Sequence, residues 1–419
     1  MSDSTTRARL TSTTRSCLPP DDVLDGYATG GQAWLHDGAG LVGRGVAASV
    51  HVPLAEAAEV AAELLAGIDV DNPIGTPGTG PVVFGAFPFD RTATGELVVP
   101  ARIVGANRQG QAWVTDVTDG SAPSSVGDGT SSRDAVASAG YGGRTPARFT
   151  LDGHGSRAAW IAIVEEALRR IDAGQLEKVV LARRVTVDAD ADFDVAEVVD
   201  GLRRHHPSCF TFALGGFVGA SPELLVRRRG PLVVSRPMAG TVSRGDTVDA
   251  DRRALEGMAT SAKERGEHRL VVDAVLNALG PLCEEVSASA RPEVARLATM
   301  AHLATTIAGR LRDDPPPSAL AVADRLHPTP AVGGWPRDVA VATIADLEAF
   351  DRGCYAGPVG WLDGRGDGDW AVALRCATVS GPRAELAAGA GIVTGSDPAA
   401  EWVETQAKLE PMLRALVRV

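Results

Sequence analysis

The sequence is short of the features that would assign it quickly. Aromatic residues make up only 5% of 419 positions, so any core must be built from smaller side chains, and hydrophobic residues still reach 44%. Material rich in Val, Leu and Ala suits mixed α/β packing, in one large domain or a few smaller ones. The five cysteines (Cys17, Cys209, Cys283, Cys354, Cys376) are odd in number and never spaced as Cys-x-x-Cys. Neither a disulfide framework nor a cysteine zinc site follows, and a cytoplasmic location is expected. No apolar run approaches the roughly 18 residues that span a bilayer. Residues 1–20 also lack the continuous apolar segment of a secretory signal and read as a disordered tail. Basic excess is missing too. A formal net charge of −12 argues against nucleic acid and anionic membrane as partners, because both require a basic footprint. An anionic ligand would need cations gathered locally. No His-Glu-x-x-His and no nucleophile elbow is present, so zinc-protease and α/β-hydrolase chemistry has no support.

What is present reads as strands in runs with helices between them. Residues 21–115 give short strands separated by Gly and Pro turns, with one amphipathic helix at 53–66. Residues 118–144 hold little apolar material to bury and read as a mobile Gly/Ser-rich loop at about 118–147. A helix then places Trp160, Val164, Ala167, Leu168 and Ile171 on one face and ends at Gly174. Strands follow at 178–187 and 210–214, and a hairpin at 224–229 and 232–236 turns on Gly230-Pro231. Helical patterns cover 251–279 and 339–349. Strands at 359–363, 370–379 and 385–393 precede a final helix, which starts at the Ser396-Asp397-Pro398 cap. The order predicts an α+β fold with largely antiparallel sheets rather than regular βαβ alternation.

Several residue patterns could carry chemistry, and each also has an ordinary reading. Glu264 and Glu267 lie three apart on one helical face, as do Glu401 and Glu404, with Lys408 one turn further. Four carboxylates from two helices could converge on a hard cation such as Mg2+; a Glu-rich helix is equally a solvated face, and Glu404 with Lys408 suits a surface ion pair. Lys178 opens the apolar run Val179-Val180-Leu181-Ala182, either snorkelling to solvent or buried as a general base. Glu223, after Ser221-Pro222, is either a solvated turn residue or an acid kept protonated by an apolar pocket. Arg375, between Leu374 and Cys376, is either at a sheet edge facing water or buried against a planar carboxylate. Ala239-Gly240-Thr241 and Gly389-Ala390-Gly391 are bulges or places where backbone approaches a ligand. His302 in Ala301-His302-Leu303 is by default a hydrogen-bonded structural histidine.

In order along the chain, these segments resemble the chorismate-utilising enzymes, and among them isochorismate synthases. The resemblance rests on Lys178-Val179-Val180-Leu181-Ala182-Arg183, Ser221-Pro222-Glu223-Leu224-Leu225 and Pro237-Met238-Ala239-Gly240-Thr241. It continues through Lys263-Glu264-Arg265-Gly266-Glu267-His268, His302-Leu303-Ala304-Thr305 and His327-Pro328-Thr329-Pro330-Ala331-Val332-Gly333-Gly334. Phe350-Asp351-Arg352, Tyr355-Ala356-Gly357-Pro358, Gly389-Ala390-Gly391-Ile392-Val393 and Glu401-Trp402-Val403-Glu404-Thr405 complete it.

The resemblance covers residues 156 to the C-terminus, and Gly85-Ala86-Phe87-Pro88-Phe89-Asp90 extends it more weakly into the first half. It implies one domain over residues 21–419, made of two large packed sheets with helices outside and a buried site between. It further implies a monomer that uses Mg2+ to isomerise chorismate, supplying menaquinone or siderophore biosynthesis.

The roles come from the resemblance as well. Lys178 would activate water to attack C2, and Glu223 would protonate the departing C4 hydroxyl. Glu267 and Glu404 would hold Mg2+, with Glu264 and Glu401 close by. Gly240, Thr241, His302, Ala331, Val332, Tyr355, Leu374, Arg375, Gly389, Gly391 and Lys408 would surround the substrate. Residues 271–279 lack the Ala-Arg-Asn-Asp-like run of anthranilate-forming relatives. Salicylate synthases tend to place Thr at the position of Ala331 and lack the 327–330 lead-in, so formation should stop at isochorismate. Salicylate formation, or an idle paralogue acting as a binding subunit, are the alternatives.

Overall fold

The structure is a computed structural model that describes residues 10–27, 30–119 and 145–417. Most of the expected 118–147 loop lies outside the described residues, as does the start of the expected tail. The rest of that tail departs from expectation: Leu10–Cys17 forms a strand, parallel to Ile68–Asp71 and antiparallel to Ala112–Thr118. Its inward side chains are hydroxyls, not hydrocarbons. Ser12 and Thr14 are buried, and Thr14 Oγ1 shares a 3.0 Å hydrogen bond with Thr115 Oγ1.

Three sheets make up the strand content, of thirteen, nine and three strands. Apart from the Leu10–Cys17/Ile68–Asp71 pair, the strand pairings are antiparallel, in line with the expected α+β class. The two large sheets pack face to face through an apolar cluster that includes Trp34, Phe84, Phe212, Trp361 and Trp370. Scarce as they are, the large aromatics are concentrated where two sheets need bulk between them. A second cluster seats the Val195–His205 and Pro398–Val417 helices on the thirteen-stranded sheet, through Val199, Leu202, Leu409 and Met412. The small third sheet, Met238–Ser243, Met300–Ala304 and Glu293–Arg296, was not legible as a separate unit.

Two elements expected as continuous are broken, and both breaks fall near the site. The 251–279 helical pattern is two helices, Val248–Thr260 and Ala262–Leu279. Ser261 stands between them in an extended conformation, and its hydroxyl accepts from the Glu264 N–H, so it caps the second helix and starts a new axis. The expected 370–379 strand is likewise two strands in different sheets. Gly368–Val372 belongs to the nine-stranded sheet and Cys376–Ser380 to the thirteen-stranded one. Ala373, Leu374 and Arg375 make the crossing, with Arg375 at φ 49.

A neighbouring segment makes the same move. Phe217–Ser221 lies in the thirteen-stranded sheet and Leu224–Arg229 in the nine-stranded one, with Pro222 and Glu223 between them. The two crossings are laced together. Val372 N–H donates to Glu223 O at 3.1 Å, Ser221 Oγ to Val372 O at 2.5 Å, and Ala220 N–H to Arg375 O at 3.2 Å. A third crossing, at Pro237, leads from Leu232–Arg236 into the small sheet.

Candidate active site

Where these crossings meet two helix faces, a cavity of about 90 Å³ opens. Every candidate site residue named from the sequence lines it, with one exception, Lys178. Its side chain is fully buried at the end of the Lys178–Ala189 strand and reaches the cavity through a partner that does line it.

One wall is made by helices. Ala262–Leu279 contributes Glu264 and Glu267, and Pro398–Val417 contributes Glu401, Glu404 and Lys408. The four carboxylates face one space, and each has a hydrogen-bonding partner. Lys178 Nζ lies 2.8 Å from Glu267 Oε1, Lys263 Nζ 3.4 Å from Glu401 Oε1, and Lys408 Nζ 2.6 Å from Glu404 Oε1. Thr241 N–H donates to Glu264 Oε2 at 2.9 Å. Burial raises the pKa of Glu264, and neighbouring Glu267 and Glu404 raise it further. Burial and then Glu404 do the same to Glu401. Burial also pushes Glu267 up, but Lys178, Lys408 and Lys263 together outweigh burial and hold that carboxyl below its ordinary value.

This wall is a set of hard oxygen donors whose mutual repulsion an added cation would relieve. Among the described residues no three acidic, His or Cys side chains are close enough to chelate an ion unaided. That donor set fits Mg2+, which keeps several waters and takes one or two carboxylates.

The opposite wall is made by the crossings. Glu223 is buried, and desolvation pushes its carboxyl up to about 8, against a backbone N–H from Met238 and the charges of Lys178 and Lys408, which pull it down. It is therefore a protonated acid at neutral pH, and it makes no ion pair with Lys178. Arg375 is 7% exposed, and among the described residues no carboxylate pairs with it. Its Nη2 lies 3.3 Å from His302 Nε2, and its Nη1 approaches Cys209 Sγ at 4.0 Å.

That contact fixes the histidine. A guanidinium can only donate, so His302 Nε2 must be the acceptor and the ring proton must sit on Nδ1. Nδ1 accordingly donates to Gly240 O at 3.3 Å, with Thr241 Oγ1 at 3.2 Å. Burial, reinforced by Arg375, holds the imidazole neutral. The expected sheet-edge alternative for Arg375 is thus excluded: it is a buried cation in the crossing between two strands, lining the cavity.

The glycines serve close approach. A Cβ at Gly391 would stand 2.6 Å from Glu267 Oε1 and 3.1 Å from Lys178 Cε, so that pair exists only because position 391 is bare. A Cβ at Gly389 would meet Leu181 O at 2.8 Å and Tyr355 Oη at 3.2 Å. Ala331 and Val332 come from the loop after His327, whose Nε2–H donates to buried Phe89 O at 3.0 Å. A buried ion pair, Glu348 with Arg352, braces this side; Arg352 donates to Val180 O at 2.7 Å and Val332 O at 3.0 Å.

Sequence reasoning gave no role to Lys263, which lines the cavity and pairs with Glu401. Its place beside Glu264 in the first turn of a helix was the available signal. Nor did it assign Val180, Met238 or Ala388 to the lining. His268 lies outside the lining, buried, with Nε2 bonded to Thr305 Oγ1 at 2.7 Å.

Comparison with known proteins gives a consistent picture. A family profile described as chorismate binding enzyme matches residues 36–417. The isochorismate synthase DhbC of Bacillus subtilis is 43% identical over 265 residues, 60% of this chain and 66% of that one. The isochorismate synthase EntC of Escherichia coli K12 is 34% identical over 339 residues, 80% of each chain. Among solved structures, the menaquinone-specific isochorismate synthase MenF of Escherichia coli superposes with a TM-score of 0.78. It is 26% identical, over 97% of this chain and 94% of that one.

Proposed function

Since this chain belongs to the chorismate-binding enzymes, we propose that it is an isochorismate synthase, an isomerase that converts chorismate to isochorismate. The observation that carries the reading is the crossover wall. There a carboxyl held protonated at neutral pH and an arginine without a counter-ion line one cavity. Chorismate is a dianion whose 4-hydroxyl must leave, and a proton donor and a carboxylate receptor are the two groups that wall supplies.

The reaction adds water at C2 and expels the C4 hydroxyl as water, with the ring double bonds shifting between, so atoms balance. Glu223 donates the proton to the departing hydroxyl. Lys178, in its neutral amine form, is the base for the incoming water, and a separate base is needed because attack and departure occur at different carbons. Arg375, pre-aimed by His302, holds a substrate carboxylate, and the bare backbone at Gly389 and Gly391 lets the ring approach. Glu267 and Glu404 would hold Mg2+, with Glu264 and Glu401 behind them. When bound, the ion supplies positive charge opposite a ring carboxylate. Local cations therefore answer the global charge of −12.

No helix among the described residues is long and apolar enough to cross a membrane. Ala331 lines the cavity, which supports a product branch that stops at isochorismate. The test is chromatography of the products formed from chorismate and Mg2+ by the purified chain. Isochorismate as main product is expected. Salicylate with pyruvate would overturn the branch, full activity in excess EDTA would overturn the metal, and no turnover would favour a binding subunit.

A further inference from the structure

We propose that Arg183 is a positioning residue for the carboxylates of the C-terminal helix, tying the strand that carries Lys178 to the turn that carries Glu401 and Glu404. The proposal rests on the reading of those carboxylates as cation ligands.

Arg183 lies five positions beyond Lys178 on the Lys178–Ala189 strand. Its Nε donates to Thr405 Oγ1 at 2.7 Å, and its guanidinium carbon sits 4.1 Å over the Trp402 ring. Thr405 is fully buried. Its hydroxyl donates onward to Trp402 O at 2.7 Å, so the oxygen lone pair is what receives Arg183. Trp402 in turn packs edge-on against Trp160 of the Arg157–Asp172 helix, with ring centroids 6.3 Å apart. The two anchored residues bracket Glu404, one on each side, and Trp402 directly follows Glu401.

Charge pairing does not explain this arginine. Among the described residues no carboxylate lies within ion-pair distance of it, and the cation that acts on Glu401 is Lys263. Burial lowers its pKa to about 10 with no counter-charge to offset the shift. A half-buried guanidinium kept without an acid is used for its shape: a planar fork that stacks on indole while one N–H fixes a hydroxyl.

The same strand reaches the other helix at Lys178, through Glu267. One rigid strand thus contacts both carboxylate-bearing helices, at 178 and at 183, and sets the separation of the two Glu pairs. Outer residues that orient ligands in this way typically affect metal affinity by about 10- to 100-fold.

Mn2+ serves as the probe, with affinity measured by electron paramagnetic resonance on the full chain without substrate. Glu404→Gln is the control for the site itself. Arg183→Leu and Thr405→Val should each weaken Mn2+ binding about 10-fold, and the double variant should fall short of the sum of the two. Thr405→Ser should bind as the parent does. At saturating metal, kcat of Arg183→Leu should stay near that of the parent. Parent-like Mn2+ affinity in Arg183→Leu, with only a lowered Tm, would reduce Arg183 to a packing residue and overturn the proposal. Parent-like affinity in Glu404→Gln would instead overturn the metal reading beneath it.

Discussion

On the helix wall, Glu264, Glu267, Glu401 and Glu404 each rest on a lysine or a backbone N–H. On the crossover wall, Arg375 has no carboxylate beside it among the described residues, and Glu223 keeps its own proton. The difference teaches how an acidic protein can receive a dianion. One wall carries more negative charge than its lysines can neutralise and suits a cation; the other carries an uncompensated cation and suits an anion. A substrate with two carboxylates can lie between them, one against each source of positive charge.

The comparison breaks most sharply at the acid–base pair. Glu223→Gln preserves shape but cannot deliver a proton, and Lys178→Ala removes the base. Each should lose about 10² to 10⁴ in kcat while chorismate binding persists. Near-parental kcat in either variant would remove that residue from the mechanism.

Next in size is the receptor. Arg375→Lys keeps the charge but loses the fork, so KM for chorismate should rise about 10- to 100-fold with a smaller change in kcat. An unchanged KM would mean that the crossover wall is not where a carboxylate sits.

The histidine offers a finer cut. A Gln at 302 can present an oxygen where Nε2 accepts from Arg375, whereas an Asn can only reach the Nδ1 side. His302→Gln should hold KM within a few-fold of the parent and His302→Asn should raise it about 10-fold. Equal KM values in the two variants would contradict the assigned tautomer.

The last effect is in stability, and it is small over any one pH unit. Between the ordinary carboxyl value of 4.5 in the unfolded chain and about 8 in the folded one, the native state holds the extra proton on Glu223. Stability must therefore fall as pH rises through that window, on the order of 1 kcal/mol per pH unit. Glu223→Gln, which cannot ionise there, should lose less over the same range. Parallel Tm–pH curves for parent and variant would show that Glu223 is not held protonated.

How much of this was legible in the sequence follows from the kind of signal involved. The hairpin at Leu224–Arg229 and Leu232–Arg236 was readable because Gly230-Pro231 forces the turn. The paired glutamates were readable because helical spacing alone puts three-apart residues on one face. The crossings were not. Val372 to Cys376 is apolar on both sides of Arg375, and nothing local says that its halves join different sheets. That depends on tertiary packing and on the left-handed φ of Arg375. The Leu10–Cys17 strand was missed because its buried face is Ser12 and Thr14, paired by hydroxyl contact rather than hydrophobicity. The Lys178–Glu267 contact was hidden for a similar reason: it needs the bare Gly391 of a third segment.

The complementarity of the two walls is tested most directly by calorimetric titration of chorismate into Glu223→Gln, which leaves all four glutamates and their partners in place. With Mg2+ present binding should be tight, and in EDTA it should weaken on the order of 100-fold, as expected when cation and substrate share one coupled site. Identical affinities in Mg2+ and in EDTA would contradict the account, because the helix wall would then take no part in holding the substrate.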